Sequence, residues 1–177
     1  AAERQRLAFE VPDLRGLLGR EGVSTIGGVL AANASGPRRV QVGAARDAAL
    51  GVRFVDGTGA VVKNGGRVMK NVTGYDLVKL LAGSRGTLGV LSEVGFKVQA
   101  LPEAEATLVV EGLGDEAGLA ALRVALGSPF DVSGAARHTG RSLIRVEGMA
   151  GSVAYRVGRP GALVGREARP GRRVGSL

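Results

Sequence analysis

Three glycines fall within seven residues at the start of GSRGTLGVLSEV, Gly83 to Val94, just ahead of an apolar run. With no Cβ in the way, backbone amides in such a stretch can approach a phosphate or a flat ring. A glycine-rich structural turn is the plainer alternative. The spacing is not the dinucleotide fingerprint, because no strand runs directly into the loop and no long helix follows it. In TIGGVLAANASGPRR, Gly27 and Gly28 fall at a predicted helix N-terminus, whose free amides and positive dipole end suit an anion, with Arg38 and Arg39 just beyond. A tightly packed small-residue helix with solvated arginines accounts for the same letters. In RVMKNVTGYDL, Lys70, Asn71, Tyr75 and Asp76 crowd polar groups before an apolar run, and Asp76 is either a helix cap or a ligand contact. The only histidine, His138, lies between Arg137 and Arg141. A His-plus-Arg site is chemically conceivable there, but a lone histidine in a basic segment reads as a bystander, and no catalytic residue is assigned.

The elements that must position these residues follow from periodicity. LGVRFV, the turn DGTG and AVVKNGG read as a hairpin from Leu50 to Gly66, with Asp56 and Gly57 supplying the positive-φ turn. GYDLVKLLA predicts a short amphipathic helix over 74–82, with Leu77, Leu80 and Leu81 on its apolar face and Gly83 as its left-handed C′ residue. GTLGVLSEVGFKVQALP reads as a turn and one strand, with Val94, Phe96 and Val98 on one face and Pro102 closing it. After Pro102 come a strand (ATLVVEGL), a helix from near Asp115 to Gly127, and another strand (SLIRVEGM), a β-α-β series like half of a split βαβ layer. From Ser152 onward glycine, arginine and proline obscure any period. The class is α+β, with a boundary near Pro102 separating residues 1–102 from 103–177.

Composition closes off several functions. With 45% hydrophobic residues over 177 positions the chain can build a globular core. It has no cysteine, so iron–sulfur clusters and thiolate zinc sites are excluded from it, and no metal site is expected. No apolar run is long enough to span a membrane, and the N-terminus lacks a signal-peptide pattern, so a cytoplasmic protein is the default. The net charge is +8, and from Arg141 to Leu177 eight arginines stand against two glutamates. Nucleic acid is the usual partner of such a tail. The 3% aromatic content and the absence of any RNP, zinc-finger or basic-heptad pattern argue against it.

Taken in order, TIGGVLAANASG, GAARDAALGVRFVDGTGAVV and VMKNVTGYDLVKLLAGSRGTLGVLSEVGFKV resemble the second half of the FAD-binding domain of the vanillyl-alcohol-oxidase (PCMH-type) flavoproteins, over roughly residues 9 to 102. VMKNVTGYDL together with SGPRR is similar, more narrowly, to the FAD-binding subunits of bacterial glycolate oxidases. The resemblance implies a second PCMH-type subdomain over 1–102 followed by a partial α+β cap over 103–177, with the family's first subdomain, which normally wraps the pyrophosphate, missing. It further implies a non-covalent FAD touched by backbone around Thr25, Gly27 and Gly28, with Gly86, Thr87, Gly89 and Val90 lining the adenosine end and Asp47 in a polar turn near the cofactor. Where family members often carry Glu, this chain has Arg85.

The function so implied is that of a subunit of a glycolate (2-hydroxy-acid) oxidase complex, alongside a second flavoprotein subunit and an iron–sulfur subunit, with membrane association only through the complex. A flavin-free scaffold subunit and a basic nucleic-acid module are the alternatives. Three expectations follow: the chain alone holds FAD weakly or not at all; Val at Gly28 or Gly89 abolishes flavin retention with the fold largely intact; and the arginines from Arg141 to Arg173, including Arg166, Arg169, Arg172 and Arg173, dock a partner subunit.

Overall fold

A computed structural model describes residues 3–67 and 74–159. Lys70 and Asn71, and the arginines from Arg166 to Arg173, lie outside the described residues. The contacts divide the chain into two compact units between Ala100 and Leu101.

The first unit runs β1 (Gln5–Leu7), α1 (Arg15–Leu18), α2 (Ile26–Ala32), α3 (Arg39–Val42), α4 (Ala45–Ala48), β2 (Ala49–Val55), β3 (Val61–Gly65), α5 (Leu77–Leu81), β4 (Val90–Phe96) and β5 (Val98–Ala100). β3, β2 and β4 form one antiparallel sheet in that order, and β1 pairs with β5. Val52 and Phe54 alternate with exposed Arg53, so one face of the sheet enters a core shared with Leu30, Ala45, Val78 and Leu81. Phe9 is buried against Phe96, ring centroids 5.2 Å apart.

Three expectations are corrected here. The hairpin turn takes its positive φ at Gly59 (+86°), not at Gly57. Asp56 closes it by accepting from the Thr58 and Ala60 amides and the Thr58 hydroxyl. The helix after Gly74 is only Leu77–Leu81, capped by Asp76 accepting from the Lys79 amide, and it buries Val78 and Leu81 while Leu80 is exposed. The single strand predicted before Pro102 breaks at Lys97, whose amide turns to the Ala48 carbonyl. Val98 thereby leaves the face of Val94 and Phe96 and joins the β1 pairing.

The second unit runs β6 (Ala104–Val110), α6 (Asp115–Leu126), β7 (Val132–His138), β8 (Arg141–Gly148) and α7 (Ala150–Val157). Its sheet order is β6-β8-β7, all antiparallel. β6 and β7 therefore run parallel with β8 between them, joined through α6: a split βαβ unit. The sequence reading skipped β7 and took β8 as the returning strand. Ala106, Leu108, Val110, Ile144 and Val146 meet Ala121, Leu122 and Ala125 of α6 in the core. The fold is mixed α+β with antiparallel sheets, as the sequence predicts.

Candidate functional site

α2 starts where the small-residue run predicts. Thr25 is extended, and its hydroxyl accepts from the Gly28 amide at 3.1 Å, the N-cap arrangement that Thr supports. One of the first-turn amides expected to be free is thus satisfied internally. The helix ends at Asn33 in the left-handed conformation, with its side-chain oxygen accepting from the Arg46 amide. Val29 and Leu30 enter the core. Gly27 faces β4, where a β-carbon would stand 3.6 Å from the Leu91 β-carbon and carbonyl oxygen.

The second glycine-rich segment runs alongside this helix. The Gly83 and Arg85 amides donate to the Leu30 and Ala31 carbonyls near the end of α2. The chain then turns at Ser84–Thr87, with Arg85 and Gly86 both at positive φ and the Thr87 amide and hydroxyl returning to the Ser84 carbonyl. Two consecutive positive φ values mark a type I′ turn, which glycine tolerates and arginine does not favour. From there the chain enters β4, reaching Leu91 beside Gly27. Gly86 faces open space, and Val90 is exposed. Gly89 is enclosed: a β-carbon there would come 2.7 Å from the Val55 carbonyl oxygen and 2.8 Å from the Phe54 ring. The expectation that Val at Gly89 spares the fold is corrected on that ground.

Gly27 is therefore brought against Leu91, which follows Gly89 and Val90 in the chain, while the turn that holds Gly86 and Thr87 follows the Gly83 and Arg85 contacts near the other end of α2. Asp47 is not part of that line. It sits on α4, and its carboxylate accepts from the Ala44 amide at 2.8 Å, closing the first turn of that helix.

Away from β4, α2 forms one wall of a cleft of about 310 Å³. Thr25, Gly28, Val29 and Ala32 face Pro12, Leu14, Leu18 and Val23, with Arg15, Arg20 and Ser24 also lining it. Arg15 is engaged by Asp13, whose carboxylate accepts from its amide and guanidinium. That contact holds Asp13 well below the ordinary carboxylate range, at about 2. The sequence reading missed this cleft, because residues 12–24 show no period and α1 buries nothing.

In the second unit the His138 region holds no convergent site. His138 is exposed, Arg137 is spent on Asp115, the Leu113 carbonyl and the Ser142 hydroxyl, and Arg141 pairs with Glu111 at 3.0 Å. Arg145 pairs with buried Glu147, and Arg156 donates to the Phe130 and Glu147 carbonyls, so these two arginines build the unit and leave the predicted docking set. Among the described residues no group of His, Asp and Glu is placed to hold a metal, and no helix is long and apolar enough to cross a membrane.

No family model matches the chain. It is 42% identical over 130 residues to the glycolate oxidase subunit GlcE of Escherichia coli, covering 73% of this chain and 37% of that protein. It is also 45% identical over 75 residues, 42% of this chain and 16% of the relative, to a Mycobacterium tuberculosis protein named as an FAD-linked oxidoreductase. It is also 40% identical over 87 residues to the glycolate oxidase subunit GlcD of Bacillus subtilis, covering 49% of this chain and 18% of the relative. Among solved structures, an alkyldihydroxyacetonephosphate synthase superposes with a TM-score of 0.74 at 20% identity, over 99% of this chain and 37% of that one. That likeness concerns the fold alone. The chain spans little more than a third of GlcE and about a fifth of GlcD.

Proposed function

We propose that this chain is part of the FAD-binding subunit of a 2-hydroxy-acid oxidase or dehydrogenase of the glycolate oxidase type, holding FAD without a covalent link. The observation that carries the reading is the placement of α2, which lines the apolar cleft with Thr25 and Gly28 and lays Gly27 against Leu91 of β4. The surfaces suit a dinucleotide. The cleft offers apolar walls for a flat ring, the guanidinium of Arg20 for phosphate charge, and hydroxyls of Ser24 and Thr25 for polar edges. Its volume suits only a part of FAD, so the remainder extends over the exposed backbone at Gly86, Thr87 and Val90.

When bound, FAD supplies the electron acceptor for oxidation of the hydroxyl-bearing carbon. The chain's own residues orient the dinucleotide and keep water from one of its sides. The names of the two glycolate oxidase subunits it is similar to support a complex of more than one subunit, in which we place a second flavoprotein. Any iron–sulfur cluster would reside on a further partner, since this chain has no cysteine. On this reading residues 1–102 form one wall of the cofactor site and 103–177 part of a cap, and the chain by itself holds FAD weakly or not at all.

The test is to purify the full-length subunit with its partners, record its flavin spectrum, and add glycolate and D-lactate anaerobically. Bleaching of the flavin absorbance by either acid supports the proposal. A protein without flavin, and without affinity for added FAD, moves the scaffold reading ahead.

A further inference from the structure

The wall of the cleft opposite α2, residues 12–24, has almost nothing of its own to hold it. α1 buries no residue, and Leu17, Leu18 and Val23 are 82%, 61% and 85% exposed. Its position is set at its ends. One end is Thr25, the cap of α2. The other is Glu10, which follows buried Phe9 and meets the SGPRR segment after α2.

That meeting is built. The Glu10 carbonyl accepts from the Gly36 amide at 3.0 Å, and its carboxylate accepts from the Arg38 amide at 2.8 Å. The other carboxylate oxygen stands 3.8 Å from the Arg38 guanidinium, whose side chain is only 7% exposed. Further interactions accompany these at both residues. Gly36 is required by the same contact, because a β-carbon there would come 2.7 Å from the Glu10 β-carbon. Arg38 is enclosed while the Glu10 side chain is 23% exposed, so salt screens the pair less than a surface pair, and the bonds from the Gly36 and Arg38 amides fix its geometry.

We infer that the Glu10–Arg38 pair is a positioning device that fixes residues 12–24 at the distance from α2 at which the cleft accepts the nucleotide. The inference rests on the FAD reading for the identity of the ligand, and on the ion pair and the bare wall for the device itself. Neither residue lines the cleft. The pair therefore acts through the wall and not by touching cofactor.

The test uses the full-length protein, stripped of flavin, with Glu10→Gln as the variant. Two quantities are read: the rate of tryptic cleavage after Arg15 and Arg20, and the dissociation constant of added FAD. The variant is expected to be cut at least several-fold faster at these two sites, with no change in the cleavage rate inside residues 104–157, and to bind FAD about tenfold more weakly. Glu10→Asp, which keeps the charge and shortens its reach, is expected to fall between variant and parent, and it decides the matter if Glu10→Gln does not melt cooperatively. Parent-like cleavage after Arg15 and Arg20 overturns the device. Faster cleavage with unchanged FAD affinity overturns its role toward the cofactor. Failure of the parent to bind FAD at all counts against the proposed function instead, and leaves cleavage to decide the device.

Discussion

Gly27 of α2 lies against Leu91 of β4, where a β-carbon would stand 3.6 Å from the Leu91 β-carbon and carbonyl oxygen. Alanine therefore fits there in ordinary contact and replaces a glycine in the first turn of the helix. Gly27→Ala is expected to stabilise the protein by about 0.5–1 kcal/mol, read as a higher denaturant midpoint. Gly27→Leu is expected to push β4 aside and lower the midpoint.

Gly89 behaves oppositely. Its β-carbon position is occupied by the Val55 carbonyl and the Phe54 ring, so even Gly89→Ala is expected to cost roughly 2 kcal/mol or more, and the loss would be seen in thermal melting before any ligand is added. A melting temperature equal to the parent's would mean that this close approach is not real.

Asp47 is expected to matter through α4 and not through cofactor contact. Asp47→Ala removes the acceptor for the Ala44 amide and is expected to cost about 1 kcal/mol, while Asp47→Asn keeps an acceptor and most of the stability. FAD affinity should be the same in both; a loss confined to ligand binding would restore Asp47 to the cofactor site.

Asp13 gives a pH signature for the bare wall. Its carboxylate is lowered to about 2 chiefly by the Arg15 guanidinium and then by the Arg15 amide. A depressed carboxyl stabilises the arrangement above the ordinary aspartate range, and the contribution disappears as pH falls through about 2. An NMR titration of the Asp13 carboxyl carbon is expected to show its midpoint near pH 2; a midpoint near 4, the ordinary value, would show that the contact with Arg15 does not persist in solution.

How much of this was legible depends on how loudly each segment speaks. α6 could be bounded because Asp115 and Gly127 punctuate a helical period, and α2 because Thr25 precedes a run of small residues. β7 was missed because VSGAARH carries only one large apolar residue, and a register shift between Val132 and Gly134 breaks its alternation. The break at Lys97 was hidden because the Lys97 amide bonds to Ala48, a partner distant in sequence. The same is true of the site. Thr25, Gly27, Gly28, Gly86 and Gly89 stand out as glycine-rich text, but the cleft wall and the Glu10–Arg38 pair arise from contacts 28 residues apart that no local pattern records. Gly89 shows the converse limit: a glycine read as making room for cofactor makes room for the protein's own strand.

Gly28 is the residue on which the account turns. It lines the cleft, and its β-carbon position meets nothing but the Thr25 hydroxyl, 3.1 Å away, which can rotate aside. The most direct measurement is the FAD dissociation constant of the full-length subunit with Gly28→Val beside the parent, with circular dichroism and melting recorded on the same samples. The account predicts at least about a tenfold loss of FAD affinity, a change of about 1.4 kcal/mol in binding, with secondary structure unchanged and stability lowered only by the order of one helix cap. Equal affinity in the two proteins would contradict it and return α2 to the role of a packed small-residue helix.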